Sequence, residues 1–206
     1  MSVFPVGLKL TGRLCIVFGS GAEQAQRAKA WLDQGARVRI VASTLSPDLE
    51  GARARSELEH IPRGYEQGDL REAWLAVLVD TDEELATRIF QESEEHRVFF
   101  CAVDQPQASY SHLAQAKAGD LTIAISTNGR APALGRRLRQ ELETLFARSD
   151  TASHVARLAA LRDVTPPSRR REVLGAAVSE VRLTGNLSFG ADHSKVGGPS
   201  DGGGTG

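Results

Sequence analysis

Residues 13–42, RLCIVFGSGAEQAQRAKAWLDQGARVRIVA, decide the fold. Residues 13–18 (RLCIVF) are, after Arg13, apolar and partly β-branched, and they stop at Gly19-Ser20-Gly21, the punctuation of a strand entering a tight turn. Residues 22–34 carry Ala25, Ala28 and Leu32 at helical spacing and end at Gly35, a residue suited to the position just past a helix. A second strand follows over residues 37–42. Strand, turn, helix and strand in this order make a βαβ unit, whose strands run parallel and whose crossover is right-handed.

Working outward, the alternation continues. Residues 73–79 (AWLAVLV) read as a buried strand, 82–93 as a helix with acidic residues at its start, and 98–103 as another strand. A short strand over 58–62 fits between the second strand and this one. The pattern predicts an α/β fold with a doubly wound parallel sheet. Beyond Asp104 the spacing predicts a helix near 111–118, a strand over 121–126, and a long helix opening at Pro132, a good first helical residue. Leu134, Leu138, Leu142 and Leu145 form one stripe on that helix, which should pack on a core or a partner chain. Two more helices, 151–162 and 168–181, flank Pro166-Pro167. Residues 193–206 hold six glycines and almost nothing apolar, so they read as a disordered tail. The expected organisation is 1–112 for the sheet domain, 113–150 for a middle region, 151–190 for a helical part and 191–206 for the tail.

Composition narrows the function classes. A chain of 206 residues is long enough for a real core, and its longest apolar run, residues 73–79, is too short to span a bilayer. No basic start, long apolar stretch and cleavage site open the chain, so the expected compartment is the cytoplasm. Cys15 and Cys101 sit in apolar runs and read as buried thiols rather than a disulfide or metal framework. A net charge of -1 argues against a nucleic-acid binder. Yet residues 130–171 carry ten arginines, no lysine and four carboxylates. That excess either solvates helices or attracts a polyanionic ligand through guanidinium forks.

The glycine turn sits where a Rossmann unit places its phosphate turn, with Gly19 for the bend and Gly21 for backbone approach to a pyrophosphate at the helix start. The third small residue of G-x-G-x-x-G/A is missing, because Gln24 stands there, so helix and strand should pack less closely or in a shifted register. At the end of the second strand, residues 40–44 (IVAST) contain no acid for a ribose, which leaves Ser43 and Thr44 as the polar contacts. A plain βα corner without ligand stays open as an alternative.

Several segments, in order and over about residues 4–165, resemble one family. They are Phe18-Gly19-Ser20-Gly21, Gln34-Gly35-Ala36, Trp74-Leu75-Ala76 running into Asp80-Thr81-Asp82, Val103-Asp104-Gln105-Pro106, and residues 121–136, LTIAISTNGRAPALGR. The resemblance is to the precorrin-2 dehydrogenase/sirohydrochlorin ferrochelatase family, which includes the N-terminal half of siroheme synthase. It implies a Rossmann-like domain, a small dimerisation region and a helical C-terminal part, assembled as a homodimer. It further implies NAD-dependent oxidation of precorrin-2 to sirohydrochlorin. Some members also insert ferrous iron, as a substrate, and the residues leave open whether this chain does.

On that resemblance the candidate cofactor contacts are Gly19, Gly21, Ala22, Glu23, Ser43, Thr44 and Thr81. Asp104 matches the family's functional aspartate, at the carboxyl end of a strand, as the acid/base group; the other reading is a turn-stabilising aspartate before Pro106. Ser126, Thr127, Arg130 and Arg136 are candidate contacts to the substrate's eight carboxylates and ring, although both hydroxyls could instead bond into the Asn128-Gly129 turn. His112, taken as lying on a short helix, reads as structural, and no resident metal is expected. Gln24, Asp80 and Cys101 depart from the family pattern, and a carboxylate at position 80 would repel a diphosphate unless it points away or meets a cation. A non-catalytic tetrapyrrole or dinucleotide carrier of the same fold is the alternative function.

Overall fold

The computed structural model describes residues 3–184. Five parallel strands, β1 (Leu14–Phe18), β2 (Arg37–Val41), β3 (Leu58–Ile61), β4 (Ala73–Leu78) and β5 (Phe99–Ala102), form one sheet in the order β3-β2-β1-β4-β5. The strand order reverses between β1 and β4, which opens a crevice at their carboxyl ends. Alternation of side chains splits the core into two layers. On one face Cys15, Val17, Val38, Ile40, Leu75 and Val77 meet Ala25, Ala28 and Trp31 of helix α1 (Ala22–Leu32). On the other, Ile16, Phe18, Ala76 and Leu78 meet Ala86 and Ile89 of α3 (Glu83–His96). The short α2 (Glu50–Ala54) leads into β3.

The ends of these elements follow ordinary capping chemistry. The Asp82 carboxylate accepts from the Leu85 N–H at 2.9 Å and starts α3, and Arg97 closes it in a left-handed conformation. Gly35 after α1 has φ 71°, as its place past the helix requires. All five sheet strands lie where the sequence pattern puts them, within a residue or two at each end.

The expectation fails at residues 111–118. Instead of a helix, β6 (Ala114–Ala118) pairs antiparallel with β7 (Leu121–Ile125) across Gly119-Asp120, and Gly119 takes φ 57°. The reason is visible in AQAKA: strict alternation turns Ala116 and Ala118 into the core while Gln115 and Lys117 face out, and the glycine permits the two-residue turn. Helix α4 (Pro132–Arg148) packs on this hairpin mainly through Phe146, Leu142 and the close approach of Gly135 to Ala114. The leucine stripe is therefore only partly covered, with Leu134 and, on β7, Ile123 exposed. Helices α5 (Thr151–Val164) and α6 (Arg170–Val178) follow and bury no residue fully. The tail proposed for 191–206 lies outside the described residues.

Candidate functional site

The carboxyl edge of the sheet brings β2, β1, β4 and β5 side by side. Backbone bonds continue past the ladders: Gly19 N–H donates to the Val41 carbonyl, Val79 N–H to Phe18, and Val103 N–H to Leu78. Ser43, Gly19, Asp80 and Asp104 thus follow one another along that edge. At about 4.8 Å per strand, Asp104 stands two strands, roughly 10 Å, from the glycine turn.

Gly19 and Gly21 both have positive φ, 94° and 97°, where a side chain is strained. Their surroundings differ. A Cβ on Gly21 would meet nothing within 4 Å among the described residues, whereas one on Gly19 would lie 2.6 Å from Cγ of Asp80. The Asp80 carboxylate accepts from the Ser20 N–H at 3.3 Å, so it lies on the turn rather than pointing away. Asp80 has no ion-pair partner among the described residues. A small cleft here is lined by Gly19, Ser20, Ser43, Gly64, Tyr65 and Asp80.

Gln24 does not loosen the packing. It is fully buried, its Nε2 donates to the Gly19 and Thr44 carbonyls at 2.7 and 3.2 Å, and its Oε1 accepts from the Ser46 N–H at 2.7 Å. One amide therefore ties the glycine turn to the loop after β2. Ser43 and Thr44 are exposed on that loop, Ala22 and Thr81 are exposed as well, and Glu23 pairs with Arg27 one helical turn on.

Asp104 is exposed and left-handed, with φ 57°, and its carboxylate makes no hydrogen bond among the described residues. Gln105 beside it donates to the Asp80 carbonyl at 2.9 Å and so couples the two loops. Behind this loop, Tyr110 and His112 fold back under α1, with the phenol oxygen 3.0 Å from His112 Nε2. His112 lies in coil, not on a helix, and burial followed by the nearby Arg27 cation pushes it down to about 3. Burial also raises the thiols: Cys15 goes up to about 12, and Cys101 rises in the same direction. Neither is a ready nucleophile.

The second group of candidates lies on the turn between β7 and α4. Ser126 Oγ accepts from the Asn128 N–H and Thr127 Oγ1 from the Ala131 N–H, so both hydroxyls are engaged in the turn. The arginines sort themselves. Arg137 and Arg139 pair with Glu141 and Glu143 along α4, while Arg130 and Arg136 are exposed without a carboxylate partner among the described residues.

Comparison with known proteins follows the same division. Residues 6–114 match a family described as putative NAD(P)-binding, and residues 118–145 match the sirohaem biosynthesis protein central region. Siroheme synthase of Thioalkalivibrio sulfidiphilus is 31% identical over 147 residues, which is 71% of this chain and 30% of that protein. The siroheme synthase of Chromobacterium violaceum is 33% identical over 147 residues, 71% of this chain and 31% of that one. The chain thus spans about a third of the length of the curated relatives it matches. A solved structure titled SirC, precorrin-2 dehydrogenase, superposes with a TM-score of 0.74 at 24% identity, covering 86% of this chain and 90% of the other, and shares the fold.

Proposed function

The chain belongs to the putative NAD(P)-binding family, here continued by a sirohaem biosynthesis central region, and on that footing we propose that it oxidises precorrin-2 to sirohydrochlorin with NAD as acceptor. The observation that carries this reading is the presence, in one chain, of a glycine turn at a sheet switch point and of that central region beside it.

The residues fit a dinucleotide. Gly21 offers open backbone at the start of an 11-residue helix, and its neighbouring N–H groups suit a phosphate. Ser43 and Thr44 meet the ribose end without a carboxylate. Bound NAD supplies the hydride acceptor. Asp104, on the same edge and without another hydrogen bond among the described residues, accepts the proton that leaves the macrocycle. Arg130 and Arg136 hold carboxylate arms as charge-assisted forks, which Arg137 and Arg139, already paired, do not. Ser126 and Thr127 shape the turn that presents Arg130. A two-stranded hairpin is marginal alone, and a second copy of the chain covers the open β7 edge, Ile123 and Leu134. Iron insertion is the extension of this reading: ferrous iron enters as substrate and Asp104 takes the pyrrole protons.

Purified protein given precorrin-2 and NAD should yield NADH and the sirohydrochlorin absorbance in equal amounts; normal binding of both without either product sinks the dehydrogenase. A carrier of the same fold is the second reading, favoured by the Asp80 carboxylate on the glycine turn.

A further inference from the structure

A glycine turn that binds phosphate normally presents bare N–H groups and empty space over both glycines. In this chain only half of it is bare. The space over Gly21 is open, while the space over Gly19 is filled by all three carboxylate atoms of Asp80, which would stand 2.6 to 2.7 Å from a Cβ there. The carboxylate takes the Ser20 N–H, the donor an anion would use. With Tyr65 and Leu85 it narrows the cleft to about 110 Å³, below the roughly 300–1,000 Å³ of small-molecule sites.

We infer that Asp80 is an internal competitor for the cofactor diphosphate and sets the affinity of the site. Its placement has a local cause: Gln105 Nε2 holds the Asp80 carbonyl at 2.9 Å, which fixes the backbone after β4 so that the side chain falls across Gly19. Its hold is weak. The one hydrogen bond is long, at 3.3 Å, and no cation pairs with the carboxylate among the described residues. A dinucleotide therefore enters by turning the Asp80 side chain outward, gaining the Ser20 N–H and losing part of its binding energy to like-charge repulsion. The ribose end, anchored by the loop that Gln24 ties down, is unaffected.

The inference rests on the glycine turn being the dinucleotide site, and the test separates the two. Calorimetric titration of NAD and of adenosine into the wild-type chain, Asp80→Ala and Asp80→Asn, without and with magnesium, reads both. The expected result is NAD binding about 10- to 100-fold tighter in Asp80→Ala, the range of one charge-assisted hydrogen bond, with an intermediate gain in Asp80→Asn and adenosine binding unchanged. Equal NAD affinity in all three overturns the inference while leaving the site intact. Magnesium-dependent NAD binding that is lost in Asp80→Ala also overturns it, because the carboxylate would then be a bridge rather than a competitor. Adenosine and NAD binding to none of the three removes the site itself and the inference with it.

Discussion

The two halves of the chain close their cores to different degrees. In the sheet domain every residue of β1, and of β4 all but Trp74, is buried, helices cover both faces, and even polar Gln24 and Glu92 are sealed in with partners. In the second half the buried apolar side chains among the described residues are Ala116, Ala118 and Phe146, set around a two-stranded hairpin, and α5 buries nothing fully. The difference teaches where each half gets its stability. The first closes a two-layer core of its own; the second has little core and, among the described residues, unpaired Arg130 and Arg136 beside exposed Ile123 and Leu134, the equipment of a surface that meets another molecule.

This contrast can be broken at several points. The largest effect should come from Asp104→Asn, expected to keep NAD binding and the melting temperature while lowering turnover of precorrin-2 by ~100-fold or more, about 2.7 kcal/mol. Turnover within a few-fold of wild type would move the base elsewhere. Gln24→Leu should cost about 2–3 kcal/mol in urea unfolding, because it strands the Gly19 and Thr44 carbonyls and the Ser46 N–H.

His112 gives a pH signature confined to the first half. Its folded value of about 3 lies below the ordinary 6.5, so the unfolded chain binds the extra proton between those values. Stability from this group is complete above about pH 6.5 and lost as pH falls toward 3, at up to ~1.4 kcal/mol per pH unit. His112→Gln should flatten that slope in denaturation curves taken across the window. The smallest change in monomer stability, within about 0.5 kcal/mol, is expected for Ile123→Glu, since that side chain is already 37% exposed. Sedimentation should nevertheless show a dimer reduced to monomer; a monomeric wild type would show that the uncovered face needs no second copy.

Legibility followed the same line. The first half is readable because β1, β4 and β5 lie in continuous apolar runs and glycines mark the turns around α1. Residues 114–118 were harder: AQAKA has the helix propensity of alanine, lysine and glutamine, and only its alternation and the glycine at 119 signal the hairpin that tertiary packing selects. At the site, positions of Gly19, Gly21 and Asp104 were legible, but the roles of Gln24 and Gln105 were not. Their partners are backbone atoms of Thr44, Ser46 and Asp80, far along the chain and anonymous in sequence. Asp80 is odd in the sequence itself, whereas the fall of its carboxylate across Gly19 is set by the tertiary fold.

Asp104 holds its backbone at φ 57°, a conformation cheap only for glycine, asparagine and aspartate. The menu of substitutions that spare the loop is therefore tiny, and every alternative on it discards the negative charge. Swapping one carboxylate oxygen for an amide nitrogen would leave the architecture untouched, so on the role proposed for Asp104 a silent carrier of the same scaffold lies a single conservative replacement away.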